Sequence, residues 1–205
     1  MKPILFNTAM VQAILDGRKT MTRRVVKPRY RNDEYGFQVI TTMDGHFVRV
    51  EKIDENECGI FEDGTERHVS PPYQPGDILW VREKWEHDDY EGFVDYRADF
   101  TDEEAKDIKW RPSIHMPKDA ARIYLRVTDV RVERVQDISE DDTKAEGIEP
   151  RFNVRDQFSG VIARQRFSEL WDSINAKRGH GWDENPFVWV ISFERCDKPE
   201  SEKTL

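Results

Sequence analysis

The sequence predicts an α+β domain built as a small mixed or antiparallel β-barrel with peripheral helices. Three observations carry that expectation. Short alternating apolar and polar runs recur along the 205 residues, and they read as half-buried strands. Helical patterns are few and unevenly placed, so the regular strand–helix alternation of a doubly wound sheet is absent. Aromatic residues make up 11% of a chain that is 36% charged, which separates a polar but folded chain from a disordered one.

ILF at Ile4–Phe6 reads as a brief buried strand. Thr8 is placed to cap a helix whose Met10, Val11, Ile14 and Leu15 form an apolar stripe, and Gly17 sits at the helix C-terminus as a structural glycine. TMTRRVV then reads as extended, with Pro28 ending it. A polar, turn-rich stretch follows over about 28–75, in which FQVITT and HFVRVEKI form a hairpin turning near Met43, Asp44 and Gly45. ILWVREKW reads as a half-buried strand with FVDYRAD as its partner. A long alternating strand ends near Val135, and ISEDDTKAEG is a short helix in which Ser139 and Asp142 approximate a capping box. Residues 161–177 form a longer helix with Phe167, Leu170, Trp171 and Ile174 on one side, and FVWVISFER closes the fold as a strand. With no internal repeat, the expectation is a single domain over 1–197, a β-rich insertion at about 28–75 and a polar tail at 198–205.

Charge bounds the function classes. Asp and Glu outnumber Lys and Arg by 41 to 32, for a net charge of -9, which disfavours an extended duplex-DNA surface. Cys58 and Cys196 lie too far apart in sequence to suggest a disulfide scaffold or a thiolate zinc site. No stretch is long and apolar enough for a membrane span, so a cytoplasmic protein is expected. The five histidines are scattered and no glycine fingerprint for phosphates occurs, so the sequence calls for no metal and no other cofactor.

Against that acidic background, GRKTMTRR at Gly17–Arg24 opens a run of seven Lys and Arg residues with no acid before Asp33. Two readings stay open: a solvated edge pairing with the abundant carboxylates, or a cleft for an anionic partner such as a phosphate or an RNA backbone. In a strand from Thr20, residues Thr20, Thr22 and Arg24 share one face, with Met21 and Arg23 on the other. Lys19 lies at the bend before it. There its amine would activate the Thr22 hydroxyl if burial and neighbouring cations loosened its proton.

GRKTMTRR resembles the G-x-K-x-x-T-x-R signature of the ASCH family, small domains similar in fold to PUA domains, at Gly17, Lys19, Thr22 and Arg24. ISEDDTKAEG, GDILWVRE and FVWVISFE also resemble segments of that family, in its phage and prophage form. The resemblance implies a PUA-like barrel, and a host-cell cytoplasmic location if the chain is phage-encoded. It further implies chemistry like that of bacterial N4-acetylcytidine amidohydrolases: Thr22 as nucleophile, Lys19 as base, Glu146 handling protons or the exocyclic nitrogen, and Arg24 orienting base or oxyanion. A modified nucleoside or single-stranded RNA is then the expected partner. Alternatives are a non-catalytic RNA-binding module, a ribonuclease, or a phage protein that engages or inhibits a protein partner. A stiff loop at 110–117 offers Trp110 for stacking and Ser113 or His115 for hydrogen bonds to a base, while Arg23 joins Arg24 in binding substrate. Trp182, beside His180 in RGHGWDENP, is a further exposed aromatic candidate or a packing anchor.

Overall fold

The predicted alternation becomes a five-stranded mixed sheet. A computed structural model describes residues 1–26, 37–41, 47–52, 71–87, 92–148 and 159–199. Its strands are β1 (Lys2–Leu5), β2 (Met21–Val25), β3 (Phe37–Thr41), β4 (Phe47–Lys52), β5 (Ile78–Arg82), β6 (Trp85–His87), β7 (Val94–Tyr96), β8 (Tyr124–Arg134) and β9 (Phe187–Cys196). The helices are α1 (Thr8–Leu15), α2 (Asp102–Ala105), α3 (Glu140–Ala145) and α4 (Ser159–Asn175). The main sheet runs β1-β5-β8-β9-β2, with β1 parallel to β5 and the other pairs antiparallel. Two-stranded ribbons β3-β4 and β6-β7 lie apart from it in the hydrogen-bonding order.

The expected barrel is corrected to an open sheet. Closure would require β1 and β2 to pair, and among the described residues they do not. The four-residue β1 has Pro3 on its free edge, where no N–H is available for a ladder. Its outward carbonyls are taken by side chains instead: the Tyr73 hydroxyl donates to Pro3 O at 2.8 Å and the Arg24 guanidinium donates to Leu5 O at 2.8 Å. The seam between the two edges is therefore bridged by side chains and leaves a groove.

Both faces of the sheet are apolar, which is why helices flank it. Along β9, Trp189, Ile191 and Phe193 join a core with Val11 and Ile14 of α1, while Val188 and Val190 join a second core with Phe167 and Trp171 of α4. Each fully buried aliphatic side chain contributes roughly 1.5–3 kcal/mol of transfer free energy. A bulge between Val127 and Asp129 of β8 inserts one residue. It shifts the inward positions from Leu125 and Val127 to Val130 and Val132, which keeps all four against the α1-side core.

Smaller departures have local causes. Asn7, not Thr8, caps α1, because its side-chain oxygen accepts from the Met10 N–H at 2.9 Å. ILWVREKW breaks at 83–84 into β5 and β6, and only β6 pairs with β7 as expected for FVDYRAD. Ser139 caps α3 by accepting from the Asp142 N–H, but the Asp142 carboxylate turns away to Arg23 and Arg131, so the capping box is half made. The expected β3-β4 pairing forms, whereas its turn at 43–45 and most of 28–75 lie outside the described residues. No helix among the described residues is long and apolar enough to cross a membrane.

Candidate functional site

The bend that delivers Lys19 is a Schellman-type helix stop. Gly17 adopts a left-handed φ of 74°, its N–H donates to Ile14 O at 3.1 Å, and the Arg18 N–H donates to Ala13 O at 2.9 Å. The chain then runs beside the end of α3, where the Thr20 N–H donates to Ala145 O at 2.8 Å. Gly147 makes that approach possible. Its φ is 88°, and a Cβ there would lie 2.9 Å from Ala13 Cβ and 3.2 Å from Lys19 Cβ.

Glu146, at the C-terminus of α3, straddles the free edge of β2. Its Oε2 accepts from Lys19 Nζ at 2.6 Å and its Oε1 accepts from Arg23 Nη1 at 3.3 Å. Lys19 lies 5.8 Å from the centroid of Phe6, in the α1-side core, while Arg23 lies 5.8 Å from that of Phe167, in the α4-side core. All three charged residues are buried. Burial holds the Lys19 amine below its ordinary 10.5; Glu146 pulls it back up, and Arg24 and Arg23 add to the lowering.

Arg23 is saturated. Beyond Glu146 it donates to Glu133 Oε1 through Nε at 3.0 Å, to Asp142 Oδ2 through Nη2 at 2.6 Å, and to Met21 Sδ at 3.5 Å. Arg131 reinforces the cluster with a 2.6 Å bond to the same Asp142 oxygen. Of the four described members of the basic run, Lys19 and Arg23 pair with acids inside the protein, Arg18 pairs with Asp16 at the surface, and Arg24 bonds a backbone carbonyl. Lys27, Arg29 and Arg31 lie outside the described residues.

Between β1 and β2 opens a groove of about 420 Å³. Thr22, Arg23, Arg24 and Glu146 line one side, and Met10, Leu170 and Ile174 supply apolar wall. Thr22 is only 1% exposed, and among the described residues its hydroxyl has no hydrogen-bond partner. Lys19 does not line the groove; it stands behind Glu146, its Nζ spent on that residue's carboxylate and carbonyl. Arg24 lies 5.2 Å from the Phe6 ring centroid, and burial lowers its pKa, offset in part by Glu146 and Tyr73.

Trp110, Ser113 and His115 are not brought to this groove. Trp110 donates through Nε1 to Ala105 O at 3.1 Å and packs edge-on against Phe100, which is the role of a packed loop. Trp182 packs edge-on against Phe167 and acts as an anchor, whereas its neighbour His180 lines the groove. Sequence reasoning missed Tyr73, Asn175 and Arg178 as lining residues. A signal existed for the wall alone: the stripe on α4 is wide enough to serve two surfaces, with Phe167 and Trp171 buried and Ile174 37% exposed. Among the described residues no group of three His, Cys, Asp or Glu side chains is placed to hold a metal ion.

No family model matches the chain, and no curated protein does. Among solved structures, a protein of Enterococcus faecalis V583 from the DUF984 family model is 11% identical, with 100% of this chain and 87% of that one covered, at a TM-score of 0.43. That likeness lies below the level at which a shared fold follows. The ASCH, PUA-like and phage-type assignments are therefore corrected, and the RNA-binding and amidohydrolase labels lose the family support on which they rested: no family model matches, and the sheet is open. The matched residues have local explanations. Gly17 is required by the left-handed helix stop, and Lys19 is the buried partner of Glu146.

Proposed function

We propose that the groove between β1 and β2 binds a modified pyrimidine nucleoside. The observation that carries this reading is the Thr22 hydroxyl, which opens onto the groove without a partner among the described residues, in a lining shared with a carboxylate held by two cations. A ligand that bonds to this hydroxyl gains on the order of 0.5–1.5 kcal/mol. A cytosine ring with an acyl group on its exocyclic nitrogen has matching chemistry. Glu146 accepts from the amide N–H, Thr22 and Arg24 donate to carbonyl oxygens, and the apolar wall takes the ring face and the acyl methyl. A groove of about 420 Å³ suits one such ligand. A long RNA strand is less well served, because Arg23 has no N–H left for a phosphate.

Hydrolysis of the acetyl amide of N4-acetylcytidine is a second reading, favoured by the same free hydroxyl and by the loosened proton of Lys19. In it, Thr22 attacks the acetyl carbonyl as Glu146, the carboxylate lining the groove, takes its proton; that proton passes to N4 as the C–N bond breaks and cytidine leaves, and water then hydrolyses the Thr22 acetyl ester to acetate. Calorimetric titration of N4-acetylcytidine, with acetate release followed in parallel, tests both readings. Binding is expected, weakened about tenfold or more in Thr22→Val and Glu146→Gln, the loss of one buried hydrogen bond to a charged or polar group. Absence of heat at saturating nucleoside contradicts the proposal; binding without acetate removes the hydrolytic reading alone.

A further inference from the structure

Two cations of the groove stand apart from the rest. Arg18 pairs with Asp16, Lys19 with Glu146, and Arg23 with Glu133, Asp142 and Glu146. Arg24 and Arg178 also line the groove, yet among the described residues neither meets a carboxylate. Arg24 spends a single bond, on Leu5 O, and Arg178 spends none. We infer that the ligand of this groove carries a phosphate, which Arg24 and Arg178 receive; the inference rests on the nucleoside reading and specifies a nucleotide.

Four considerations support it. The guanidinium is a rigid fork of donors matched to phosphate oxygens, and its bonds to an anion are among the stronger hydrogen bonds available to a protein. Glu146, the acid lining the groove, would repel an anion if it stood free, but Lys19 at 2.6 Å and Arg23 at 3.3 Å neutralise it. The carbonyl end of α4 does not claim Arg178 either, since the Gly179 and His180 N–H groups donate to Ala176 O and Asn175 O there. Finally, in a chain of net charge -9, two groove arginines without an acid partner mark a place where negative charge has been withheld.

The phosphate could be the terminal group of a mononucleotide or the diester of a short strand, and the experiment separates them. Wild-type protein and the Arg178→Ala and Arg24→Gln variants are titrated with inorganic phosphate, cytidine, cytidine 5′-monophosphate and a cytidine dinucleotide. The monophosphate is expected to bind about tenfold more tightly than cytidine, the margin of one good charge-assisted contact. Arg178→Ala is expected to erase that margin while leaving cytidine affinity unchanged. Dinucleotide affinity equal to that of the monophosphate assigns the site to a diester, whereas a weaker dinucleotide assigns it to a terminal phosphate. Equal affinity for cytidine and its monophosphate, or a margin that survives both substitutions, overturns the inference and leaves nucleoside binding intact. Arginine-dependent binding of phosphate and monophosphate without binding of cytidine upholds the phosphate site and leaves the nucleoside reading to the N4-acetylcytidine titration. Silence of all four probes overturns the phosphate inference.

Discussion

Two regions of this protein bury a carboxylate against arginine, and they differ in what is left over. At the β5–β6 junction Glu83, 1% exposed, takes both oxygens to Arg122 at 3.0 and 3.1 Å, and Arg122 continues to Asp99 and covers the Tyr96 ring at 3.9 Å. Tyr96 donates to Ala120 O, Trp110 to Ala105 O, and Arg82 to the carbonyls of Met116 and Ile114. Trp85 Nε1 is the one buried side-chain nitrogen or oxygen without a partner among the described residues, and Arg111 covers its ring at 5.1 Å. At the β1–β2 seam the acids are equally well paired, but Thr22, Arg24 and Arg178 keep unused donors facing a groove. Buried charge alone is architecture; unspent hydrogen-bonding capacity beside a concavity marks a site.

The largest expected effect separates the two clusters by stability. Arg23→Ala removes a buried cation shared by three carboxylates, leaving them only Arg131 and Lys19, and is expected to cost about 3–5 kcal/mol in denaturant unfolding. Arg122→Ala is expected to cost less, about 1.5–3 kcal/mol, because burial already pushes the Glu83 carboxyl up and helps it neutralise. Equal losses would show that the seam network is no more demanding than the other.

Next come the two glycines that shape the seam. Gly17→Ala strains a left-handed backbone in open space and is expected to cost about 1 kcal/mol, whereas Gly147→Ala adds a collision with Ala13 and Lys19 and is expected to cost at least about 2 kcal/mol. Thermal unfolding of both variants checks the order.

A finer contrast uses two buried threonines. Thr143 donates to Glu140 O, so Thr143→Val is expected to cost about 1 kcal/mol. Thr22→Val breaks no bond and is expected to stay within about 0.5 kcal/mol while ligand binding falls. A large stability loss at Thr22 would reveal a structural role for its hydroxyl.

The pH dependence of stability gives opposite signs for the two regions. Lys19 has a lowered pKa in the folded state, so between that value and 10.5 the unfolded chain binds more protons and stability rises with pH. Glu83 has a raised pKa, so stability falls as pH rises from 4.5 through its folded value. Unfolding free energies of Lys19→Met and Glu83→Gln, each followed across its own window, should lose the corresponding slope.

Much of the fold was legible because its signals are local. The strand and ribbon patterns, the glycine at the α1 stop and the split of Thr22 and Arg24 from Arg23 on β2 follow from periods of 3.6 and 2. Along β9 the same period allots Val188 and Val190 to one core and Trp189, Ile191 and Phe193 to the other. The bulge in β8 was also written in the sequence, as the extra residue between Val127 and Val130, but a general alternation masked it. Barrel closure was not legible. It turns on whether two edges meet across the whole chain, and here Tyr73 and Arg24 side chains occupy the carbonyls a ladder would need. At the site, nearness in sequence exposed Lys19, Thr22 and Arg24, while the 3-10 turn after α4 contributed Arg178 from 154 positions beyond Arg24, with no local motif to announce it.

The most direct test of the central claim is a crystal structure of the protein soaked with N4-acetylcytidine. The account predicts the base between β1 and β2, with a hydrogen bond from the Thr22 hydroxyl and one to the Glu146 carboxylate. Density for the nucleoside elsewhere, or an empty groove at saturating ligand, would contradict it.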